Sequence, residues 1–299
     1  MFKTLTSTLA ALALTASAVL AEMPEKLRFA VTDLNGMEEL QREFGPFRDI
    51  LQDILDTEIE FYAVPDRGAA TAAIAANRVD IVLAGPSEYV LMRSRADVTP
   101  VVGIEKPGYY AVIASPASKG IDSLEDLDGK KVITFAPGGT STELTTCLML
   151  EEAGFDCKAS GGVDFSIIGG FAPLIEALVR EEVDAVGFAA IHYRLAQERA
   201  GYSPERFWKD FPIIAETPRL PPDLFVARAG LSEDVIAEVR AALLANEDAI
   251  FESIIKAAGD TSFSRAFAEA SFTVIDDATY DYIRKAYAAA GYDNIAEID

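Results

Sequence analysis

AAIAANRVDIVLAGPSEY, residues 72–89, decides the fold, because a weaker copy, EALVREEVDAVGFAAIHY, stands at residues 176–193. Each copy ends an amphipathic helix, sets Val-Asp before a short apolar strand, breaks, and then presents an aromatic residue. In the first, Val79-Asp80 precedes Ile81–Ala84; in the second, Val183-Asp184 precedes Ala185–Phe188. An α/β unit used twice at this spacing implies two similar lobes. Two lobes imply a cleft, and clefts are where small molecules bind.

Working outward, the chain alternates strands and helices around both copies. Residues 26–32 read as a strand. Leu40, Phe44, Phe47, Ile50, Leu51, Ile54 and Leu55 form a helical stripe across 37–56, with Pro46 as a kink or a second start. A strand at 59–63 and a helix opened by Pro65-Asp66-Arg67-Gly68 lead into the first copy. The order β-α-β-α-β asks for a doubly wound, mostly parallel sheet with helices on its faces. Residues 98–114 read as two strands about the Pro107-Gly108 turn. The same order then repeats: strand 131–135, helix 141–153, strand 163–168, helix 172–181 and strand 183–188. The Pro-rich segment 217–223 reads as an extended return. The expected architecture is α/β with two lobes, residues 22–115 plus 217–299 and an inserted 116–216. Two crossings, near 115–118 and 216–222, serve as a hinge that closes on a ligand.

Residues 1–21 carry an early Lys3, an apolar stretch to Leu20 and the small-residue site Val19-Leu20-Ala21. That is the pattern of a secretory signal peptide, too short for a membrane span. Export makes a Cys147–Cys157 disulfide the expected state of the two cysteines, closing a short loop that contributes a little under about 3 kcal/mol. The net charge of −22 argues against nucleic acid and anionic membrane as partners. One histidine, with no zinc-type spacing, no Gly-x-Ser-x-Gly and no P-loop, gives little to an enzyme, a metal site or a cofactor.

The segment IDSLEDLDGKKVITFAPGGTSTEL, residues 121–144, together with RVDIVLAGPSEYV and PGYYAVI, resembles the substrate-binding proteins of the phosphate/phosphite/phosphonate ABC importers. The resemblance implies a type II periplasmic binding protein: a periplasmic monomer that takes a small anion and delivers it to an inner-membrane permease. It further implies that a Ser/Thr run opening a helix, here Thr140-Ser141-Thr142, holds the ligand's oxygens. Physics supports the same run. Gly138-Gly139 permits close backbone approach, and a helix start aims free N–H groups at an anion. Thr140-x-x-Glu143 also fits a capping box, which would occupy those groups internally. Both readings stand at this point.

The chain departs from the family where the ligand's chemistry is set. Where the family carries a second-lobe histidine this chain has Phe171, where it carries an acidic residue this chain has Phe188-Ala189-Ala190, and a first-lobe tyrosine aligns with Arg67. Arg67 suits a carboxylate, sulfonate or phosphate through paired charge-assisted bonds, and Phe171 suits a flat or apolar ligand body. Asp33, Ser87, Tyr89 and His192, which follow strand ends, and Tyr110, at the start of a strand, complete the candidates. A transport protein is the leading class. An enzyme on the same fold, a sensory protein, or a ferric-ion binder using Tyr109, Tyr110 and His192 are the alternatives.

Overall fold

The computed structural model describes residues 23–297 apart from 33, 35, 160–161 and 260–266. The expected signal peptide, residues 1–21, and the candidate Asp33 lie outside the described residues.

Both copies of the repeat form the same unit, hydrogen bond for hydrogen bond. Helix α2 (Arg67–Ala75) ends where Asn77 takes φ 56°. There Asn77 N–H donates to the Ile74 carbonyl and Arg78 N–H to that of Ala73. Helix α5 (Phe171–Val179) ends with Glu181 at φ 56°, Glu181 N–H on Leu178 and Glu182 N–H on Ala177. This paired closure, with one left-handed residue, satisfies the last carbonyls and turns the chain back toward the sheet.

The aspartate of each copy then locks the strand onto its neighbour. Asp80 precedes β3 (Ile81–Ala84); its carboxylate accepts from Arg28 N–H at 2.8 Å, in β1 (Lys26–Val31), while its own N–H donates to the Arg28 carbonyl. Asp184 precedes β8 (Ala185–Ala189) and makes the same exchange with Lys131, which opens β6 (Lys131–Phe135). Burial pushes the Asp80 carboxyl up, but bonds from the Arg28 and Arg228 guanidinium groups outweigh it and hold it below the usual aspartate range.

Around these units lie two mixed sheets. The first is ordered β11-β4-β10-β3-β1-β2 and includes β2 (Glu58–Phe61), β4 (Thr99–Glu105), β10 (Asp223–Ala227) and β11 (Ser271–Thr273). The second is ordered β7-β6-β8-β5-β9 and includes β5 (Ala111–Ala114), β7 (Asp164–Ile168) and β9 (Ile213–Glu216). The expected parallel pairing holds for β2-β1-β3 and β7-β6-β8; the other strands run antiparallel. Helix α1 (Met37–Leu55) runs through Pro46 and covers the first sheet with Phe44 and Phe47, which pack on Phe29 and Phe225.

One boundary moves. The Pro107-Gly108 turn does not fold β5 back on β4. β5 is buried along its whole length between β8 and β9, so the first crossing between sheets lies at 106–110 rather than 115–118. A Pro-Gly turn has the same local geometry whether its flanking strands pair together or part, and here the second sheet supplies the partners of β5. The chain returns to the first sheet through 217–222, between β9 and β10.

Two further elements tie the sheets together. Helix α4 (Thr145–Glu152) carries Cys147, whose expected disulfide to Cys157 is formed, with Cα atoms 5.6 Å apart. Helix α10 (Asp281–Ala289) packs on α4 beside the second sheet and on α3 (Pro86–Arg95) beside the first, and Tyr287 in it donates to the Ser87 carbonyl. The chain therefore has a helical strap across the sheets besides its two crossings.

Candidate functional site

A cavity of about 330 Å³ opens between the sheets and is walled by both. From the second sheet come the loop after β6 and the end of β8. That loop runs through Ala136, at φ 55°, and Gly138, at φ 68°, into a wide helical turn, Thr140–Leu144, that leads into α4. Gly139 has no room for a side chain: a Cβ there would stand 2.2 Å from Thr142 Oγ1 and 2.9 Å from the Ala136 carbonyl. A larger residue would force the loop off the cavity wall.

The capping box does not form. Glu143 is fully buried and turns away from the cavity, accepting from Gly138 N–H at 2.7 Å, Lys158 Nζ at 3.0 Å and Tyr292 O–H at 3.0 Å. Thr140 Oγ1 instead accepts from Ser87 N–H at 3.0 Å, across to the first sheet. Its own hydrogen remains available to donate. Thr142 donates to the Ala136 carbonyl at 3.0 Å and braces the loop. Ser141, on the cavity wall, makes no hydroxyl hydrogen bond to a described residue. The opening turn thus offers hydroxyl and backbone donors to an anion, since the first N–H groups of a helix have no partner within it.

From the first sheet come Arg67, at the start of α2, and Glu88, in the first turn of α3. Arg67 Nε is ion-paired with the buried Glu88 carboxylate. At the floor, Lys106 Nζ lies 2.5 Å from Asp223 Oδ2 and 4.6 Å from the Tyr109 ring centre. The two pairs balance in charge, so the hydroxyl-lined turn is where an anion gains most. His192 adds no charge: burial, with the positive Lys106 nearby, pushes its imidazole down to about 4. Its Nδ1 is buried and has no hydrogen-bond partner among the described residues.

Of the sequence candidates, Arg67, Thr140, Ser141, Thr142 and His192 line the cavity together. The other described candidates do not. Ser87 is buried behind the wall, with its hydroxyl on Glu88 and its N–H on Thr140. Tyr89 is fully buried against Tyr280 and donates to Asp277 at 2.6 Å. Tyr110 packs into the core of the second sheet, because alternation sends its neighbour Tyr109 to the cavity. Phe171 stands behind the wall, with ring centres 5.6 Å from Phe135 and 5.5 Å from His192. Sequence reasoning missed Lys106 and Asp223. Their one signal is position, each flanking a crossing segment.

Among the described residues no helix is long and apolar enough to cross a membrane, and no cluster of His, Cys, Asp and Glu could hold a metal ion. Comparison with known proteins gives one consistent result. The chain is 28% identical over 178 residues to the phosphate-import protein PhnD of Mycolicibacterium smegmatis, a match covering 56% of this chain. It spans about half, 55%, of that curated relative's length. Among solved structures it superposes on XAC2383 from Xanthomonas citri bound to ATP, with a TM-score of 0.70 and 18% identity over 90% of this chain and 98% of that one. It also superposes on PhnD1 from Prochlorococcus marinus in complex with methylphosphonate, with a TM-score of 0.65 and 16% identity over 90% and 99%. Identities this low establish the shared fold, that of the type II periplasmic binding proteins. The family of phosphonate periplasmic substrate-binding proteins of ABC transporters matches residues 29–280, and the chain belongs to it.

Proposed function

We propose that the chain is the solute receptor of an ABC importer, exported to the periplasm through residues 1–21, and that it captures a small phosphonate-like oxyanion between its sheets. The observation that carries this reading is the run Thr140-Ser141-Thr142, which opens a helix on the wall of the cavity with Glu143 turned away from it. A tetrahedral oxyanion seated there accepts from the Ser141 and Thr140 hydroxyls and from the first backbone N–H groups of the turn. Residues 23–105 with 223–297, and residues 111–216, act as the two lobes, closing about the crossings at 106–110 and 217–222. The closed receptor is what an inner-membrane permease then recognises.

Phosphate and methylphosphonate, named for two of the relatives, are the first ligands to try. Calorimetry with these and with methanesulfonate should give at least one micromolar complex, about −8 kcal/mol. Ser141→Ala should weaken it about tenfold, or about 1.4 kcal/mol, with the melting temperature unchanged. A wild-type protein that binds neither these nor a larger phosphonate is not an oxyanion receptor. A Ser141→Ala protein that binds normally returns the run to a purely structural role.

A further inference from the structure

The cavity is larger than an oxyanion head, and part of its wall is apolar. Its 330 Å³ falls at the low end of the roughly 300–1,000 Å³ range of pockets that enclose drug-sized molecules. At about 30 Å³ per water it holds the equivalent of roughly eleven waters, well beyond a methylphosphonate. Besides Thr140–Thr142 and the paired charges Arg67–Glu88 and Lys106–Asp223, the wall is aromatic and apolar, with Tyr109, Phe135, Ala189 and Ile191. Phe135 is held in place by Phe171, which in turn packs on His192. His192 also lines the cavity, and its Nδ1 is buried without a partner among the described residues. A buried polar atom left unmatched is destabilising, so a ligand that reaches it gains a contact that the protein alone lacks.

Building on the oxyanion reading above, we propose that the ligand is an aryl or heteroaryl phosphonate or phosphate monoester. Its oxyanion sits on Thr140–Thr142, its ring lies against Tyr109, Phe135 and Ile191, and a hydrogen-bonding ring substituent faces His192 Nδ1. The imidazole is neutral there, so the contact is an ordinary hydrogen bond rather than a second ion pair. A flat ring suits this wall because aromatic faces and edges stack on one another and gain beyond the area they bury.

Titration of the full mature protein with methylphosphonate, phenylphosphonate and 4-hydroxyphenylphosphonate tests this. Phenylphosphonate is expected to bind at least tenfold more tightly than methylphosphonate, and the hydroxyl-bearing ring more tightly still. Ile191→Ala is expected to lower phenylphosphonate affinity by a larger factor than methylphosphonate affinity. His192→Phe is expected to abolish the difference between the two aryl ligands. Far-ultraviolet circular dichroism and melting temperature check that both variants fold. If methylphosphonate binds as tightly as phenylphosphonate, or more tightly, the aryl proposal is overturned while the oxyanion receptor stands. If none of the three binds, the receptor reading falls and the proposal falls with it.

Discussion

Arg67 and Glu88 set the charge that an incoming ligand meets. Arg67 is about one-third exposed, whereas Glu88 is buried at 3%. The pair is therefore lopsided: the carboxylate depends on the guanidinium more than the reverse. Removing Arg67 leaves Glu88 buried beside a smaller cation set, which costs about 1–3 kcal/mol of stability. Arg67→Ala is accordingly expected to unfold at lower urea concentration and to bind an oxyanion about tenfold more weakly. Glu88→Gln, which keeps the shape and removes the negative charge, is expected to bind it more tightly than wild type. Calorimetry on both variants decides the matter, and wild-type affinity in Arg67→Ala removes that residue from the site.

His192 carries a pH dependence of definite sign. Its imidazole titrates near 6.5 in the unfolded chain and is pushed to about 4 in the fold by burial. The unfolded chain therefore binds the proton more readily, and stability falls as pH drops from about 6.5 toward 4. The full loss is roughly 3 kcal/mol, since each pKa unit is worth about 1.36 kcal/mol. The other ionised groups facing the cavity, Arg67–Glu88 and Lys106–Asp223, are paired. Urea unfolding at a series of pH values should show this slope in wild type and a flatter one in His192→Gln. Parallel slopes would assign the acid sensitivity elsewhere, with Asp80 and its two arginines the first place to look below pH about 4.

At the scale of elements, the repeat was legible because it is made of local chemistry. A left-handed closing residue at 77 and 181, then an aspartate that bonds the neighbouring strand, are features that a short string can carry. The Ser/Thr turn was legible for the same reason, and so was the disulfide, ten residues across. What was not legible depends on distance along the chain. Lys106 and Asp223 stand 117 residues apart, and Tyr292 reaches Glu143 across 149. The capping box was a sound local reading that long-range partners displaced: Glu143 has Lys158 and Tyr292 to satisfy it, and Thr140 has Ser87. The two strands about Pro107-Gly108 were legible, but not the sheet that β5 joins, because strand pairing is decided by the whole sheet and not by the turn. Tyr109 and Tyr110 show the limit most simply. Alternation says that one of two adjacent side chains faces the cavity, but not which.

At the scale of the whole molecule, one hydrogen bond spans the cavity between the two sheets. Ser87 N–H, at the start of α3, donates to Thr140 Oγ1, at the start of the helix opposite. The two helix starts that face the cavity are thereby latched together by a hydroxyl that also lines it. A bond of this kind is worth about 1 kcal/mol net, enough to shift an open–closed equilibrium about fivefold. Thr140→Val keeps the shape and deletes the acceptor. It also leaves the Ser87 N–H to find water, which it can do only if the lobes part. Helix α10 opposes that parting, since it packs on both α3 and α4, so the motion is a rotation over the strap rather than a full separation. Small-angle scattering should give wild type a radius of gyration near the value of about 19 Å for a compact chain of this length. The ligand-free Thr140→Val protein should be measurably larger and more sensitive to protease at 106–110 and 217–222. Saturating oxyanion should shrink it toward wild type, because the anion supplies the bridge that the hydroxyl no longer makes. Identical scattering curves for the two ligand-free proteins would mean that α10 and the crossings alone hold the lobes, and that Thr140 serves the ligand only.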